Sequence, residues 1–520
     1  MTADSRQPLL SHTPQPTYAA TDTETFSTRT VTGAVVEDQD EGGVPPAVAE
    51  GPSRVTLFLS LVRDSIPVIL SYILQNSIQT VAILIAGRLS PEALSAAAFS
   101  LMLAFVTGWC IALGGTTALD TLGSQSYTGG TRRADLSVHL QRCVVLLCIL
   151  FVPVALLWFW IEPVLLHLGQ PAVISRDTQR FLRILIAGAP GYIAFESLKK
   201  YLQCQGIMSL STIVLIIICP VNIGLNVAFV HYTSLGLFGS AVALCITYWL
   251  CFFLLCAFTY FSPAHRKNGT WDGLQPAAVF DASSCLVFLQ LALPGILMIG
   301  TEWAAFEIVA LAAGRLGELP LAAQSVIMTT DQILNTLPFG IGVAASARVG
   351  NLIGARSASG AKHAAHASAF LSVIVGVVVM VTMIATKDVF GYLFSDDEAV
   401  VALVSKVMPL VASFQVADGL AGSCGGVLRG QGRQHLGAVF NLVAYYVLAL
   451  PMGVSLAFKT SLGLQGLWIG QVVALFIVGI GEYLTVWLGT DWDKEVRKGI
   501  ERNEAEAKRR AARAEFYEDN

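Results

Sequence analysis

PGILMIGTEWAAFEIVALAAGRL, residues 294–316, repeats a stretch that the chain has already used as PVILSYILQNSIQTVAILIAGRL, residues 67–89. The two align without a gap at an offset of 227, and eight of the 23 positions are identical. Average residue frequencies give roughly one or two. The far ends of the two copies agree as well: TSLGL stands at 233–237 and again at 460–464, and Gly239 and Gly466 follow in register. The chain is a duplicated unit, so one fold prediction has to serve twice.

Composition says what kind of unit it is. Hydrophobic residues make up 54% of the 520, charged residues only 13%, and the mean hydropathy is +0.64. These values exclude an ordinary soluble enzyme and point to a polytopic membrane protein. A bilayer crossing takes about 20 apolar residues, and the pattern predicts twelve helices near 66–86, 94–126, 138–165, 181–204, 207–230, 235–261, 284–315, 321–352, 363–386, 400–428, 436–458 and 463–489. The expected fold is all-α, with twelve transmembrane helices in two pseudo-symmetric six-helix lobes, 65–262 and 283–490, joined by a cytoplasmic loop at 263–282. Residues 1–64, rich in Thr, Ser, Pro and acids, read as a disordered cytoplasmic N-terminus without a cleavable signal peptide. Residues 491–520 read as a charged cytoplasmic tail, either solvated or lying as a helix on the membrane surface.

Orientation follows from Lys and Arg in the short loops. Arg132, Arg133 and Arg142, Lys199 and Lys200, Arg266 and Lys267, Arg348, Arg356 and Lys362, and Arg429 and Arg433 cluster on one alternating set. The opposite set is poorer, the loop with Arg176, Arg180 and Arg183 excepted. Both termini are therefore expected in the cytoplasm, and a glycan on the Asn268-Gly269-Thr270 sequon would overturn that topology. An even number of helices per copy gives both copies the same orientation. Transporters built from such parallel repeats place their site between the halves near the bilayer midplane. A channel or a structural protein could carry the same duplication, and polar groups converging inside would separate these readings.

Five acids, Glu196, Glu302, Glu307, Asp331 and Asp418, lie in apolar helices, where an unpaired charge costs about 2.5–3.5 kcal/mol. Burial also brings carboxylates toward the range in which they load and release protons near neutral pH. A proton carrier or cation ligand accounts for both facts; a capped or snorkelling residue near a helix end is the plainer alternative, most of all for Glu196 beside Lys199 and Lys200. The repeat sharpens the choice, because Glu302 lies over Gln75 and Glu307 over Thr80. Packing in this fold therefore does not itself require charge there. Glu302 and Glu307 are five residues apart, about 140° around a helix, so sharing one cavity needs a wide cavity or a bend, which Pro294 permits. Asp120 reads as structural. Gln75, Asn222 and Asn226 are possible cavity-lining groups or interhelical hydrogen-bonding partners. Trp303 could wall a site for an organic cation or pack against a neighbour.

At this point several motifs in order, AGRL, ALDTLGSQSY (118–127), KKYLQCQG (199–206), the TEWAAFEIV glutamates, AAQSV (322–326), AASARVGNLIGA (344–355) and GGVLRGQG (425–432), resemble the multidrug and toxic compound extrusion (MATE) transporters, in their eukaryotic, fungal-like branch. The resemblance runs from about residue 60 to 490. It implies an antiporter that exports organic cations, drugs or amphipathic metabolites against a proton or sodium gradient; a monomer is expected, and the lack of HExxH, GxSxG or a Cys/His cluster argues against an enzyme. It further implies cation coupling and substrate binding by Glu302, Glu307 and Asp418, with Asp331 a candidate beside them. Two positions depart from the pattern: Ala82 stands where many bacterial members have an aspartate, and Thr329 where animal relatives have a glutamate, with Asp331 two residues on. A lipid or head-group flippase of the same duplicated architecture is the alternative. The expected location is the plasma or vacuolar membrane. The ten cysteines lack metal-ligand spacing and read as packing residues; no cofactor, resident metal or nucleic-acid partner is expected.

Overall fold

The computed structural model describes residues 54–518. The first half comprises α1 (Arg54–Gly87), α2 (Pro91–Gly129), α3 (Asp135–Phe159), α4 (Ala172–Leu185), α5 (Ala189–Cys204), α6 (Leu210–His231) and α7 (Leu237–Phe261). The second comprises α8 (Ala282–Leu316), α9 (Glu318–Leu334), α10 (Thr336–Gly354), α11 (Ala358–Phe390), α12 (Glu398–Gln431), α13 (Gln434–Lys459) and α14 (Leu464–Trp487), and a last helix, α15 (Trp492–Glu518), follows. Among the described residues ten helices are long and apolar enough to cross a bilayer, or eleven if α4 and α5, bent by 55° at the break between them, count as one span. The span expected at 321–352 is divided between α9 and α10. It breaks at Asn335, where Thr329, Thr330, Asp331 and Gln332 interrupt the apolar run and Pro338 follows.

The duplication is visible in the backbone. Gly236 and Gly463, one in each TSLGL, adopt φ 53°, ψ −126° and φ 51°, ψ −124°, a conformation that a Cβ strongly disfavours. The preceding threonines match too, since Thr233 donates to the Phe229 carbonyl and Thr460 to that of Leu456. A π-helical turn at Phe105–Trp109 in α2 lies, at the repeat offset, over the α9–α10 break. Each copy therefore interrupts its second span at the same level. Each half also has its own core, with Trp109, Trp158 and Phe181 in the first and Phe306, Phe414 and Trp468 in the second. Leu156 on α3 and Val378 on α11 point outward, exposed, as side chains facing lipid should.

Two expected boundaries move. Residues 54–64 are helical rather than disordered, because Leu57 and Leu61 are buried and Leu61 shares a core with Ile341 and Ala344 of the second half; residues up to 53 lie outside the described ones. The 263–282 loop contains short helices at Pro263–Asn268 and Pro276–Val279. Within the sequon, Thr270 is fully buried and its hydroxyl bonds Tyr201 and Gln205.

The halves pack together mainly on the face where α15 lies. Thr121 and Gln125 of α2 donate to the carbonyls of Arg429 and Gly430 on α12, Thr128 donates to the Asn351 carbonyl at 2.7 Å, and Asn351 donates to that of Cys204 at 3.0 Å. Further from that face, Tyr72 meets Phe339 edge-on at 4.8 Å, and Phe105 meets Trp303 at 4.8 Å. Inside the second half α10 and α12 touch backbone to backbone, and a Cβ at Gly426 would stand 2.1 Å from the Gly342 carbonyl oxygen. Gly426→Leu is expected to cost at least about 3 kcal/mol, the upper end for overpacking, because the obstacle is backbone and has no rotamer to change. Loss of the monodisperse peak in fluorescence-detected size exclusion checks this.

The tail does not stand free of the bundle: α15 packs on protein across both halves. Arg502 donates to the Gln125 side chain and the Gln431 carbonyl at 3.1 and 3.2 Å, and Asn503 donates to the Gln125 carbonyl at 3.1 Å. Arg510 pairs with Asp135. Glu506 accepts from Arg142 of the first half at 3.3 Å and from Ser284 of the second at 2.8 Å. Beneath the helix is a cavity of about 280 Å³ lined by Gln125, His139, Arg142, Ser284, Arg502 and Glu506. Burial works against ionisation of Glu506, but His139, Arg142 and the Ser284 hydrogen bond outweigh it and hold the carboxyl below its ordinary value of 4.5. A group depressed in the folded state stabilises above its unfolded pKa, and that contribution fades as pH falls through the folded value. Docking of α15 is therefore expected to be unaffected from neutrality down to pH 4.5 and to loosen only below it. Limited proteolysis by an acid-active protease across that range checks this.

Candidate functional site

Both halves bury acids, but they treat them differently. In the first half Glu196 on α5 is fully buried and paired with Lys199 one turn on, at 2.8 Å. Gln75 on α1 donates to Glu196 at 2.7 Å and accepts from Lys199 at 2.8 Å. The Lys199 ammonium also lies 4.1 Å from the centre of the Tyr72 ring. The next lysine, Lys200, holds both oxygens of Asp120 at 3.0 and 3.1 Å. Each acid thus carries its own fixed cation. Asn222 and Asn226 are fully buried between helices: Asn222 donates to the Ile78 carbonyl and accepts from Thr247, while Asn226 bonds Asn222 and Ser240. Gln75, Glu196 and the two asparagines are therefore engaged with protein, and the interhelical reading is the one their contacts fit.

The second half has no such arrangement. Asp331 on α9 accepts from Gln415 on α12 at 3.3 Å, and Asp418, one turn along α12, accepts from Asn335 at 3.3 and 3.4 Å. The break between α9 and α10 places Asn335 there. Glu302 on α8 lies within electrostatic reach of both aspartates, and Tyr445 on α13, its hydroxyl buried without a protein partner among the described residues, is within reach of all three acids. The cation acting on Glu302 is Arg429. Glu302 itself is partly exposed, beside Trp303, whose ring rests on Phe105 of the first half. The structure thus brings together Glu302, Asp331 and Asp418 and leaves Glu307 apart, as the 140° of rotation along an ideal helix requires.

One acid escaped the sequence reading. Glu482 on α14 is fully buried, and neither of its carboxyl oxygens has a hydrogen-bond partner among the described residues. Its signal was present, a lone carboxylate in LFIVGIGEYLTVW that falls over Leu255 in the repeat. The basic and glycine-rich motifs also acquire a location: Asp120, Lys200, Gln125, Gly350, Gly426 and Arg429 line the packing between α2, α5, α10 and α12 on the tail face.

A duplicated helical bundle, joined across its halves on one face and carrying an acidic cluster in one half, defines a multi-pass integral membrane transporter. The MatE family model matches the chain twice, at residues 67–228 and 294–455, once per copy and more than half of the chain in all. An uncharacterized transporter of Schizosaccharomyces pombe is 38% identical over 438 residues, 83% of this chain and 79% of that one. Multidrug and toxin extrusion protein 2 of Mus musculus is 35% identical over 446 residues, 85% of this chain and 77% of that one. Among solved structures, the eukaryotic MATE transporter AtDTX14 superposes with a TM-score of 0.79 at 30% identity, covering 86% of this chain and all of that one. The chain belongs to the MATE family of transporters.

Proposed function

We propose that the chain is a secondary active antiporter that exports organic cations, drugs or amphipathic metabolites in exchange for protons or sodium, by alternating access between its halves. One observation carries this reading: Glu196 and Asp120 of the first half have lysine partners at about 3 Å, whereas Asp331 and Asp418 of the second bond only neutral amides. An acid with a built-in cation has nothing to load. Glu302, Asp331 and Asp418 form a negative site that a mobile cation can fill and leave, and Asn335, Gln415 and Tyr445 supply polar groups beside it. With the tail face closed, the site loads its cation from the opposite face and loses affinity for cationic cargo. The halves then rock, the cation leaves, and cargo replaces it. A membrane voltage of 100 mV adds about 2.3 kcal/mol per net charge moved, enough to bias the cycle. Ala82, fully buried at the position where many bacterial members carry an acid, supports placing the coupling in the second half.

The names of the mouse and human relatives, multidrug and toxin extrusion proteins, agree with this cargo class. A flippase would need free cations for a phosphorylated head group, and Lys199 and Lys200 are committed to Glu196 and Asp120. The cluster is complete in one chain, so a monomer suffices. The basic loops support a cytoplasmic tail face, in either the plasma or the vacuolar membrane. The test is uptake of a panel of organic cations into proteoliposomes under an imposed proton or sodium gradient. Uptake that follows one gradient is the expected result, and uptake indifferent to both overturns the reading.

A further inference from the structure

Glu482 and Arg429 share a space without bonding to each other. A Cβ at Gly437 would stand 3.0 Å from one Glu482 carboxyl oxygen, and a Cβ at Gly425 would stand 3.4 Å from the other and 3.7 Å from an Arg429 Nη. The missing side chain at Gly425 therefore leaves an acid and a guanidinium on two sides of one gap, beside the methyl group of Met298. Arg429 is poorly held in turn. Its Nε and one Nη are buried without hydrogen bonds among the described residues, and its ion pair is a 3.6 Å approach to Asp120 of the other half, whose oxygens Lys200 already occupies. The titratable and charged groups within reach of Glu482 are Arg429 and Cys424 on α12, Glu302 on α8 and Tyr445 on α13; Tyr483 on its own helix turns to His366 of α11, with ring centres 6.5 Å apart.

A guanidinium stays charged throughout. An ionised carboxylate buried with no donor costs several kcal/mol, and a nearby charge offsets this only in bonding geometry. In this arrangement Glu482 is therefore held as the neutral acid. Resting on the antiport reading, we propose that Glu482 is a proton carrier and that Arg429 couples its release to the parting of the halves. When the tail face opens, Asp120 stays with Lys200 in the first half. Arg429, on the second, loses Asp120 and closes the gap to Glu482. The Glu482 O–H bond breaks, its proton passes to water entering from the tail face, and the carboxylate left behind is balanced by the guanidinium. On the return stroke the pair persists until a proton arrives from the opposite face by way of Glu302, and Arg429 then goes back to Asp120.

Proteoliposomes holding the full chain test this, with tetraethylammonium as cargo and an entrapped pH dye to count protons moved per cargo. Glu482→Gln copies the neutral acid and is expected to keep cargo-for-cargo exchange within about twofold of wild type. Proton-driven uptake should fall at least tenfold, about 1.4 kcal/mol, and the protons moved per cargo should drop by one. Glu482→Gln with wild-type proton stoichiometry overturns the proposal and leaves the antiport reading standing. A wild-type protein that ignores both proton and sodium gradients overturns the antiport reading and the proposal together. If wild-type uptake follows sodium and moves no protons, the antiport reading stands and the proposal alone falls. Should Glu482→Gln not reach the membrane, Glu482→Asp serves: a displaced pH profile of driven uptake with intact exchange supports the carrier, and an unchanged profile rejects it.

Discussion

Glu302→Gln is expected to leave the protein folded, inserted and unable to concentrate cargo. Glutamine keeps the length and polarity of the side chain and removes its charge. Because Glu302 makes no hydrogen bond or ion pair among the described residues and is partly exposed, the substitution breaks no structural contact, and the fold already accepts a glutamine at the equivalent Gln75 of the first copy. What disappears is one of the three carboxyl groups that can face a coupling cation. Gradient-driven uptake, normalised to protein in the vesicles, should fall at least about a hundredfold, equivalent to about 2.7 kcal/mol, with an unchanged melting temperature. Asp418→Asn should behave alike. Glu307→Gln, outside the cluster, should lose no more than about threefold. Full transport by Glu302→Gln would remove the basis for the coupling site.

Lys199→Met is expected to do the opposite, destroying stability rather than coupling. Glu196 is fully buried, and Lys199 is its cation at 2.8 Å. Removing one partner of such a pair costs about 3–5 kcal/mol, because the other charge is left uncompensated in a dry interior. Removing both should be far milder: the Glu196→Gln, Lys199→Met double variant replaces the pair with neutral groups, and Gln75, Tyr192 and Tyr72 remain to surround them. Thermal unfolding in detergent should show a large drop for the single variant and recovery of at least half of it for the double. A double variant as unstable as the single one would mean that the pair contributes more than charge balance. If the double variant also retains driven uptake, the first half's acid is structural, as the site asymmetry requires.

Much of this was written in the residues. The two TSLGL segments announced the duplication because a backbone that only glycine adopts comfortably preserves its glycine. Glu302 stood out because a carboxylate in an apolar run is costly to insert and is seldom kept without a task. The break at Asn335 had a signal in the polar cluster and Pro338, but the apolar residues on either side read as one span. For Gln75, Asn222 and Asn226 the spacing left both a cavity-lining and an interhelical role open, because the partners that settle the matter lie more than a hundred residues away for Gln75 and Asn222. The same distance hid the role of α15. A helix so rich in Arg, Lys and Glu reads as solvated, and the acids and carbonyls that receive it, Asp135 and Gln431 among them, belong to segments 375 and 71 residues away.

α15 is attached to α14 by a short link, so a cycle that opens the tail face would carry it with the second half. The bonds that must then rupture are those to the first: Arg502 and Asn503 from Gln125, Glu506 from Arg142, Arg510 from Asp135 and Thr131. The tail would act as a brake shoe on the moving face, so that turnover is set in part by a segment far from the cargo. Shortening the tail, or drawing it aside with a partner, would quicken the cycle at the expense of how firmly the gate rests shut.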